Sequence, residues 1–466
     1  MIILQNNNND KTVLTRDNNP IGFEKEGKLL SKFAIPSCVA LVVSALYNIV
    51  DQIFIGQYVG YLGNAATNVS FPFVTICLSL ALLIGIGAAS RFSLFLGAGR
   101  NEHARSVVGN SVVILFIMGM LLTLVTQTFL KQFLFAFGAT SDVMPYALTY
   151  AGICAWGYTF VMLQTSICAL ARADGSPQFS MLAIVLGAVA NTILDPIFIK
   201  VMGMGIAGAA IATVIGQFVS FVTAFSYLWR FKSINLKLKD FRFNLKETLR
   251  TASLGVSSFS NQVNITFLQI VMNNSIKYYG AASIYGAEIP LAASGIVFKC
   301  NAILVSIVVG ISQGAQAIIG FNYGAEKYNR VKRTLMLAVS AGFVTCFIGF
   351  LAFQLIPDKI LSIFGDGDER YFQFAIYFMR VYLFTVPFMG IQIICSNYFA
   401  AVGKPLIGLF LAMTRTVIFL IPLLLIFPLF WGIDGILYTA PVADTMALIV
   451  TSTMIIREIK RLHKKS

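Results

Sequence analysis

The chain has 466 residues, of which 57% are hydrophobic and only 12% are charged, and its mean hydropathy is +0.79. Water-soluble proteins carry about 25% charged residues, so this composition excludes a soluble globular protein and predicts a polytopic helical membrane protein. The formal charge of +14 lies between hydrophobic runs, which favours orientation in a membrane over a nucleic-acid partner.

Twelve apolar runs are long enough to cross a bilayer, which takes about 20 residues of helix. The first six lie near residues 29–57, 66–96, 107–132, 144–170, 178–201 and 206–229. The second six lie near 250–278, 288–321, 333–355, 371–399, 406–430 and 435–456. We therefore expect an all-α protein divided into a cytosolic tail (1–28), an N-lobe (29–229), a cytoplasmic linker (230–249), a C-lobe (250–456) and a basic tail (457–466).

Lysine and arginine are distributed unequally between the loops on the two sides of the membrane. Most of them fall in the N-terminal tail, the linker, the C-terminal tail and the loops on that same side. Loops rich in Lys and Arg stay in the cytoplasm, so we expect both termini to be cytoplasmic and the protein to lie in the plasma membrane. The first eleven residues lack the basic and apolar regions of a signal peptide.

The second half of the chain repeats the first. The stretch from Gly85 to Gly99 matches Gly310 to Gly324, Gly-Ser-Pro at 175–177 matches Gly-Lys-Pro at 403–405, and Gly-Ile-Ala-Gly at 205–208 matches Gly-Ile-Asp-Gly at 432–435. An even number of helices per repeat gives both halves the same orientation. The sequence therefore predicts two six-helix repeats related by a pseudo-twofold axis along the membrane normal, around a central cavity.

Two carboxylates lie inside these apolar runs, Asp51 in the first and Asp195 in the fifth. An ionisable group at the centre of a membrane helix costs about 2.5–3.5 kcal/mol on insertion scales and normally persists because function uses it. Residues one helical turn apart share a face, which places other polar side chains beside the acids. These are Tyr47, Asn48 and Gln52 on the first helix, Asn191 on the fifth, and Ala209, Thr213 and Gln217 on the sixth.

This set of side chains offers the hard oxygen ligands that suit Na⁺, or carboxylates that share a proton. Pro196 adds to it, because proline has no N–H to donate to the carbonyl of Thr192, one turn earlier. The seven cysteines occur singly in apolar runs and both histidines occur in polar stretches. We therefore expect neither a disulfide framework nor a histidine metal site.

With these residues the chain resembles the MATE family of multidrug and toxic compound extrusion transporters, closest in style to its MepA-like bacterial branch. The motifs that carry the resemblance are Asn48 to Gly56, Asn191 to Asp195, Gly205 to Thr213 and Gly310 to Ala325. It implies a coupling-cation site in the N-lobe, formed by Asp51, Asn191, Asp195, Thr213 and the backbone at Ala209. It also implies a substrate cavity lined by Tyr47, Asn48, Gln52, Tyr150 and Gln217, and a bend of the first helix at Pro36.

The C-lobe lacks matching acids, since residues 371–399 contain no carboxylate and Asn191 and Asp195 correspond to positions near the apolar Ile418 and Pro422. The resemblance therefore implies a cation site in the N-lobe alone. Other charges within the helices have no assigned role: Glu288, Lys299, Arg380, Arg415 and Asp444. For Arg91, near a cytoplasmic helix end, we expect the side chain to extend to the membrane surface.

We expect a cation-coupled antiporter, driven by H⁺ or Na⁺, that exports amphipathic and cationic organic compounds by alternating access. It is expected to act as a monomer among membrane lipids, without a cofactor beyond the coupling ion. One alternative is an exporter of lipid-linked sugars or other lipids with a related two-lobed fold. A second is a polytopic membrane enzyme, although no His-metal set, Ser-Lys pair or surface acid dyad stands out in the sequence.

Overall fold

The computed structural model describes residues 18–286, 288–362 and 369–463, and all the regular structure in these ranges is helical. The expected tails at 1–28 and 457–466 therefore lie partly outside the described residues. The twelve predicted membrane segments all lie within the described residues.

Six membrane crossings make up the N-lobe. Their helices are α1 (Glu26–Tyr58), α2 (Tyr61–Gly97), α3 (Asn101–Ala136), α4 (Met144–Ala155), α5 (Tyr158–Ala173), α6 (Pro177–Pro196) and α7 (Gly205–Phe225). Helices α4 and α5 are bent by 47° and together form one crossing. A π-helical turn, Ile197–Val201, follows α6, and a 3₁₀ turn, Ser226–Trp229, follows α7.

The C-lobe repeats this arrangement. Its helices are α8 (Leu245–Ala281), α9 (Glu288–Gly324), α10 (Tyr328–Leu355), the short α11 (Pro357–Ser362), α12 (Glu369–Tyr382), α13 (Val386–Ala401), α14 (Pro405–Met413) and α15 (Ile421–His463). Helices α12 and α13 are bent by 48° and form one crossing. A π-helical segment, Thr414–Leu420, joins α14 to α15, and α15 is broken at Gly432, so that this stretch crosses twice.

The twelve predicted runs each fall within one of these crossings, and the helices are longer than the runs because their ends continue into polar residues. Eight helices of the described chain are apolar and long enough to span a membrane, and each bent pair adds one more. The break at Gly432 divides the last of the eight into two crossings, and α8 completes the twelve. Helix α8 lies outside the eight because polar residues such as Asn261, Gln262 and Asn264 lower its hydropathy.

The backbone confirms the duplication. Left-handed residues with positive φ recur at the same places in the two halves, 226 to 228 positions apart: Gly60 and Gly286, Gly99 and Glu326, Gly175 and Gly403, Gly205 and Gly432. The bend between α4 and α5 likewise recurs between α12 and α13. These positions end helices or open turns, where a left-handed residue satisfies the last carbonyl groups.

The two lobes are joined in the half of the molecule nearest the termini, which we name the terminal side. Gly87 of α2 packs directly on Thr251 and Gly255 of α8, so that the two helix backbones touch. Gln316 of α9 donates to the Ser90 hydroxyl of α2 at 2.8 Å. The other end of the molecule is named the far side.

Arg91 corrects one expectation from the sequence. Its side chain does not extend to the surface: it is 9% exposed and forms an ion pair of 2.6 Å with Glu247 of the other lobe. It also donates to the Glu247 carbonyl and to the Thr251 hydroxyl. The partner lies 156 residues away, so helical spacing within α2 gave no sign of it.

Candidate functional site

The two acids predicted from the sequence meet at the contact between α1 and α6. Asp195 is fully buried and Asp51 is 8% exposed, and the two carboxyl groups lie close enough to influence each other electrostatically. Asp51 lies about 25 residues, or roughly 37 Å, from the start of α1, and Asp195 lies at the end of α6. Both therefore lie on the far side. In the described part of the chain, neither acid has a Lys or Arg within ion-pair distance.

The end of α6 orients the second acid. Pro196 cannot donate to the preceding turn, and the backbone widens there into the π-helical turn Ile197–Val201. Asn191, one turn before Asp195, donates from Nδ2 to its Oδ1 at 3.1 Å. The missing side chain of Gly216 lets α7 approach the Asn191 side chain closely. Asn191 thus holds the Asp195 carboxyl group and also contacts α7.

Four buried side-chain oxygens of this region have no hydrogen-bond donor. They are Oδ1 of Asp51, Oδ1 of Asn191, Oδ2 of Asp195 and Oε1 of Gln217. Leaving a buried acceptor unpaired costs about 1–3 kcal/mol, and more for a charged group. The two carboxylates and the Asn191 carbonyl, with free lone pairs, can coordinate a hard cation, and the two acids can instead take up a proton.

Two tyrosines adjoin the acids. Tyr47, on α1, interacts with Asp51 and more weakly with Asp195. Tyr150, a buried residue of α4, interacts with Asp51 and with Tyr47. The fourth crossing, formed by α4 and α5, therefore contributes Tyr150 near the acids, a residue that the family resemblance implied and that the polar stripe of α1 did not indicate.

The remaining predicted residues lie on α7 and near the start of α1. On α7, Ala209 is fully buried and Thr213 is half-buried, one turn further along. Gln217 lies against Gly157, at the bend between α4 and α5. Pro36 is buried near the start of α1, which is helical throughout its length.

The polar stripe predicted on α1 divides into two faces. Asp51 is buried toward α6, whereas Asn48 and Gln52 are solvent-exposed. Asn48 donates to the Ser44 carbonyl of its own helix at 2.7 Å. Successive residues of a helix are turned by about 100°, so neighbours in the sequence point to different surroundings.

Sequence reasoning left one charged cluster of the C-lobe unassigned. The Arg415 Nε donates to Oδ1 of Asp444, and the Thr385 hydroxyl donates to Oδ2 at 2.9 Å. The side chain of Asp444 is 4% exposed and that of Arg415 is 23% exposed. The other unassigned charged residues, Glu288, Lys299 and Arg380, are exposed. Among the described residues there is no group of three or more His, Cys, Asp or Glu side chains that could hold a metal ion.

Two six-helix repeats in one orientation, with unwound helix ends and a buried polar site, define the class of secondary transporters. The chain belongs to the MatE family, whose model matches residues 36–197 and 260–426. The family resemblance inferred from the sequence is thereby confirmed. The twelve crossings make the chain a multi-pass membrane protein, as expected of a secondary transporter.

Curated relatives have the same length and a named activity. The chain is 24% identical over 442 residues to the multidrug export protein MepA of Staphylococcus aureus strain MSSA476, covering 93% of this chain and 94% of the relative. It is 23% identical over 427 residues to MepA of Staphylococcus haemolyticus strain JCSC1435, covering 90% and 91%. Both relatives are named as multidrug export proteins.

Solved structures show the same fold. A structure described as MATE in complex with MaL6 superposes with a TM-score of 0.89 at 22% identity, covering 96% of this chain and 99% of the other. A structure described as the outward-facing conformation of a multidrug resistance MATE family transporter superposes with a TM-score of 0.88 at 21% identity, covering 95% and 98%.

Proposed function

We propose that the protein is an antiporter that exports amphipathic, often cationic, organic compounds in exchange for H⁺ or Na⁺. The relatives named as multidrug export proteins support the substrate class. The excess of basic residues on the terminal side supports an orientation with both termini in the cytoplasm of a plasma-membrane protein. The far side, with its acids, then faces outward, and the protein works as a monomer among lipids.

The observation that carries the coupling proposal is the set of unpaired buried oxygens around Asp51 and Asp195. A structural polar network satisfies its members, because each unpaired acceptor is destabilising. Here two acids interact with each other and have no basic partner in the described chain. A cation or a proton would supply the missing positive charge.

Transport follows if the ion and the drug favour different arrangements of the lobes. A ligand with equal affinity for both arrangements shifts no population, so coupling requires this difference. With the lobes joined on the terminal side, an ion from outside reaches the acids and displaces the drug. Parting of the lobes on that side then releases the ion and admits a new substrate molecule. A bend of α1 near Pro36 is proposed to accompany these changes.

An exporter of lipid-linked sugars is less well supported. A pyrophosphate needs a basic cavity, whereas the buried N-lobe site contains two acids and no ion-paired base within the described residues. The named relatives also export drugs. We therefore do not propose lipid export.

The proposal is tested by dye export from energised membrane vesicles. Export of a fluorescent organic cation is measured with a Na⁺ gradient and a pH gradient imposed separately, for wild type, Asp51→Asn and Asp195→Asn. We expect one or both gradients to drive wild-type export, and each variant to lose that response at normal expression. Wild-type rates in both variants under either gradient would contradict the proposal. Asp142→Asn, an exposed acid in the loop before α4, serves as the matched control and should export normally.

A further inference from the structure

The ion pair of Arg415 and Asp444 occupies a special position in the duplicated fold. Asp444 lies twelve residues after Gly432, as Gln217 lies twelve residues after Gly205, its counterpart in the N-lobe. Thr385 immediately precedes α13, as Gly157 immediately precedes α5. The contacts agree with this equivalence, because Asp444 accepts from Thr385 just as Gln217 lies against Gly157.

Arg415 also has a definite counterpart. It lies ten residues after Pro405, the start of α14, and Gly187 lies ten residues after Pro177, the start of α6. Gly187 packs directly on Gly216 of α7, beside Gln217. In the N-lobe, Gly187 allows α6 and α7 to pack closely. In the C-lobe, the guanidinium group of Arg415 belongs to the equivalent position.

The two lobes therefore treat equivalent oxygens differently. In the N-lobe, Oε1 of Gln217 is buried without a donor, as is Oδ1 of Asn191, which contacts the neighbouring Gly216. In the C-lobe, both oxygens of Asp444 are satisfied, one by Arg415 and the other by Thr385. A buried acid whose two oxygens are satisfied in this way has no free ligand for an ion.

We propose that Arg415 is an internal cation at the C-lobe counterpart of the polar position beside the ion-binding region, so that this lobe takes up no coupling ion. Without the guanidinium group, Asp444 and the Thr385 hydroxyl would form a cation-binding site. The restriction of coupling to the N-lobe rests on the proposed function. The cation-binding site expected at Asp444 after removal of the guanidinium group does not require transport.

The test measures ion binding as a shift in the melting temperature, Tm, of the purified full-length protein. In a background that lacks the N-lobe acids, Asp51→Asn with Asp195→Asn, we expect Tm to be independent of Na⁺. Adding Arg415→Gln should produce a rise in Tm of a few degrees with Na⁺ or on acidification, because a ligand that binds only the folded state stabilises it. Adding Asp444→Asn as well should abolish that rise.

A matched control comes from a second pair of the C-lobe. Lys404 and Glu458 form an ion pair with a largely buried carboxylate, away from Thr385. Lys404→Gln in the same background should give no rise in Tm with Na⁺, whereas acidification would relieve an unpaired buried carboxylate in either variant. A rise with Na⁺ equal to that of Arg415→Gln, or no response to Na⁺ in Arg415→Gln, would overturn the proposal. A wild-type Tm that depends on neither Na⁺ nor pH would instead contradict the coupling role of the N-lobe. That outcome does not bear on Arg415.

If Arg415→Gln does not fold, the neutral pair Arg415→Gln with Asp444→Asn in an otherwise wild-type chain decides the matter. Replacing both members of a buried pair is tolerated better than removing one. We expect this variant to keep the wild-type dependence of dye export on Na⁺ and pH. Loss of the dependence would show that Asp444 itself takes part in coupling and would overturn the proposal.

Discussion

At the scale of single residues, the chain tolerates two buried carboxylates that have no base beside them. Transfer of a charge from water to a membrane interior costs several kcal/mol, and two acids in contact repel each other when both are ionised. Asn191 relieves part of this cost through its bond to Asp195. The rest is removed when a cation or proton joins the acids, and this is the physical basis of the proposed coupling.

Removing one ligand of the site should weaken ion binding without abolishing export. Asn191→Ala deletes a hydrogen bond to a charged group, worth about 1.5–3 kcal/mol, so we expect roughly 10- to 100-fold weaker apparent affinity for the coupling ion. The measurement is the ion concentration that gives half-maximal dye export. Gln132→Ala, which removes an exposed amide of α3, should leave that concentration unchanged. Equal effects of the two substitutions would contradict the site.

The sequence showed which residues share a helix face, but not which other helix that face meets. Asp51, Asn191 and Asp195 could be grouped because acids at membrane depth are rare and functional. The partners of Arg91 and Arg415 could not be predicted, since each pair depends on packing between distant helices. The sequence showed that both residues place a charge within a membrane helix, but it did not show which acid each one contacts.

At the scale of helices, glycines determine how closely the crossings pack. Gly255 of α8 lies against the Leu83 backbone of α2, and Gly87 lies against Thr251. A side chain at any of these positions would occupy the space of the opposite backbone. The repeated Gly motifs predicted the duplication, but the sequence did not indicate that some of these residues join the lobes.

A larger residue at this contact should oppose joining of the lobes. For Gly255→Leu we expect a cost of about 1–3 kcal/mol from overpacking, which shifts the population toward lobes parted on the terminal side. Distances between spin labels on Arg100→Cys and Asn329→Cys, one in each lobe, would report the shift. Gly295→Leu is the control, because no atom lies near that position. An unchanged distance distribution in Gly255→Leu would contradict this account of the contact.

At the scale of the whole molecule, polar contacts hold the lobes together on the terminal side. The segment before α1 takes part, since Asn322 of α9 donates to the Ile21 carbonyl at 3.0 Å. Arg330 of α10 forms an ion pair of 3.3 Å with Glu26. The ion pair between Arg91 and Glu247 adds a direct link between α2 and α8.

Breaking that link should favour the arrangement in which the lobes part. In Glu247→Gln the Arg91 side chain loses its ionised partner, so we expect a larger fraction of long distances between the same two spin-labelled positions. Glu102→Gln is the control, because that carboxylate is 89% exposed and its pair with Arg105 lies within one lobe. A similar change in both variants would contradict a specific role for Glu247.

The central claim is that the acids of the N-lobe bind the coupling ion in competition with the drug. It is tested most directly by drug-binding titrations of the purified protein over a series of Na⁺ concentrations and pH values. Because linkage is reciprocal, the wild-type Kd for the drug should rise with Na⁺ or with proton concentration, and the Kd of Asp51→Asn with Asp195→Asn should depend on neither. A double variant that keeps the wild-type ion dependence would contradict the claim.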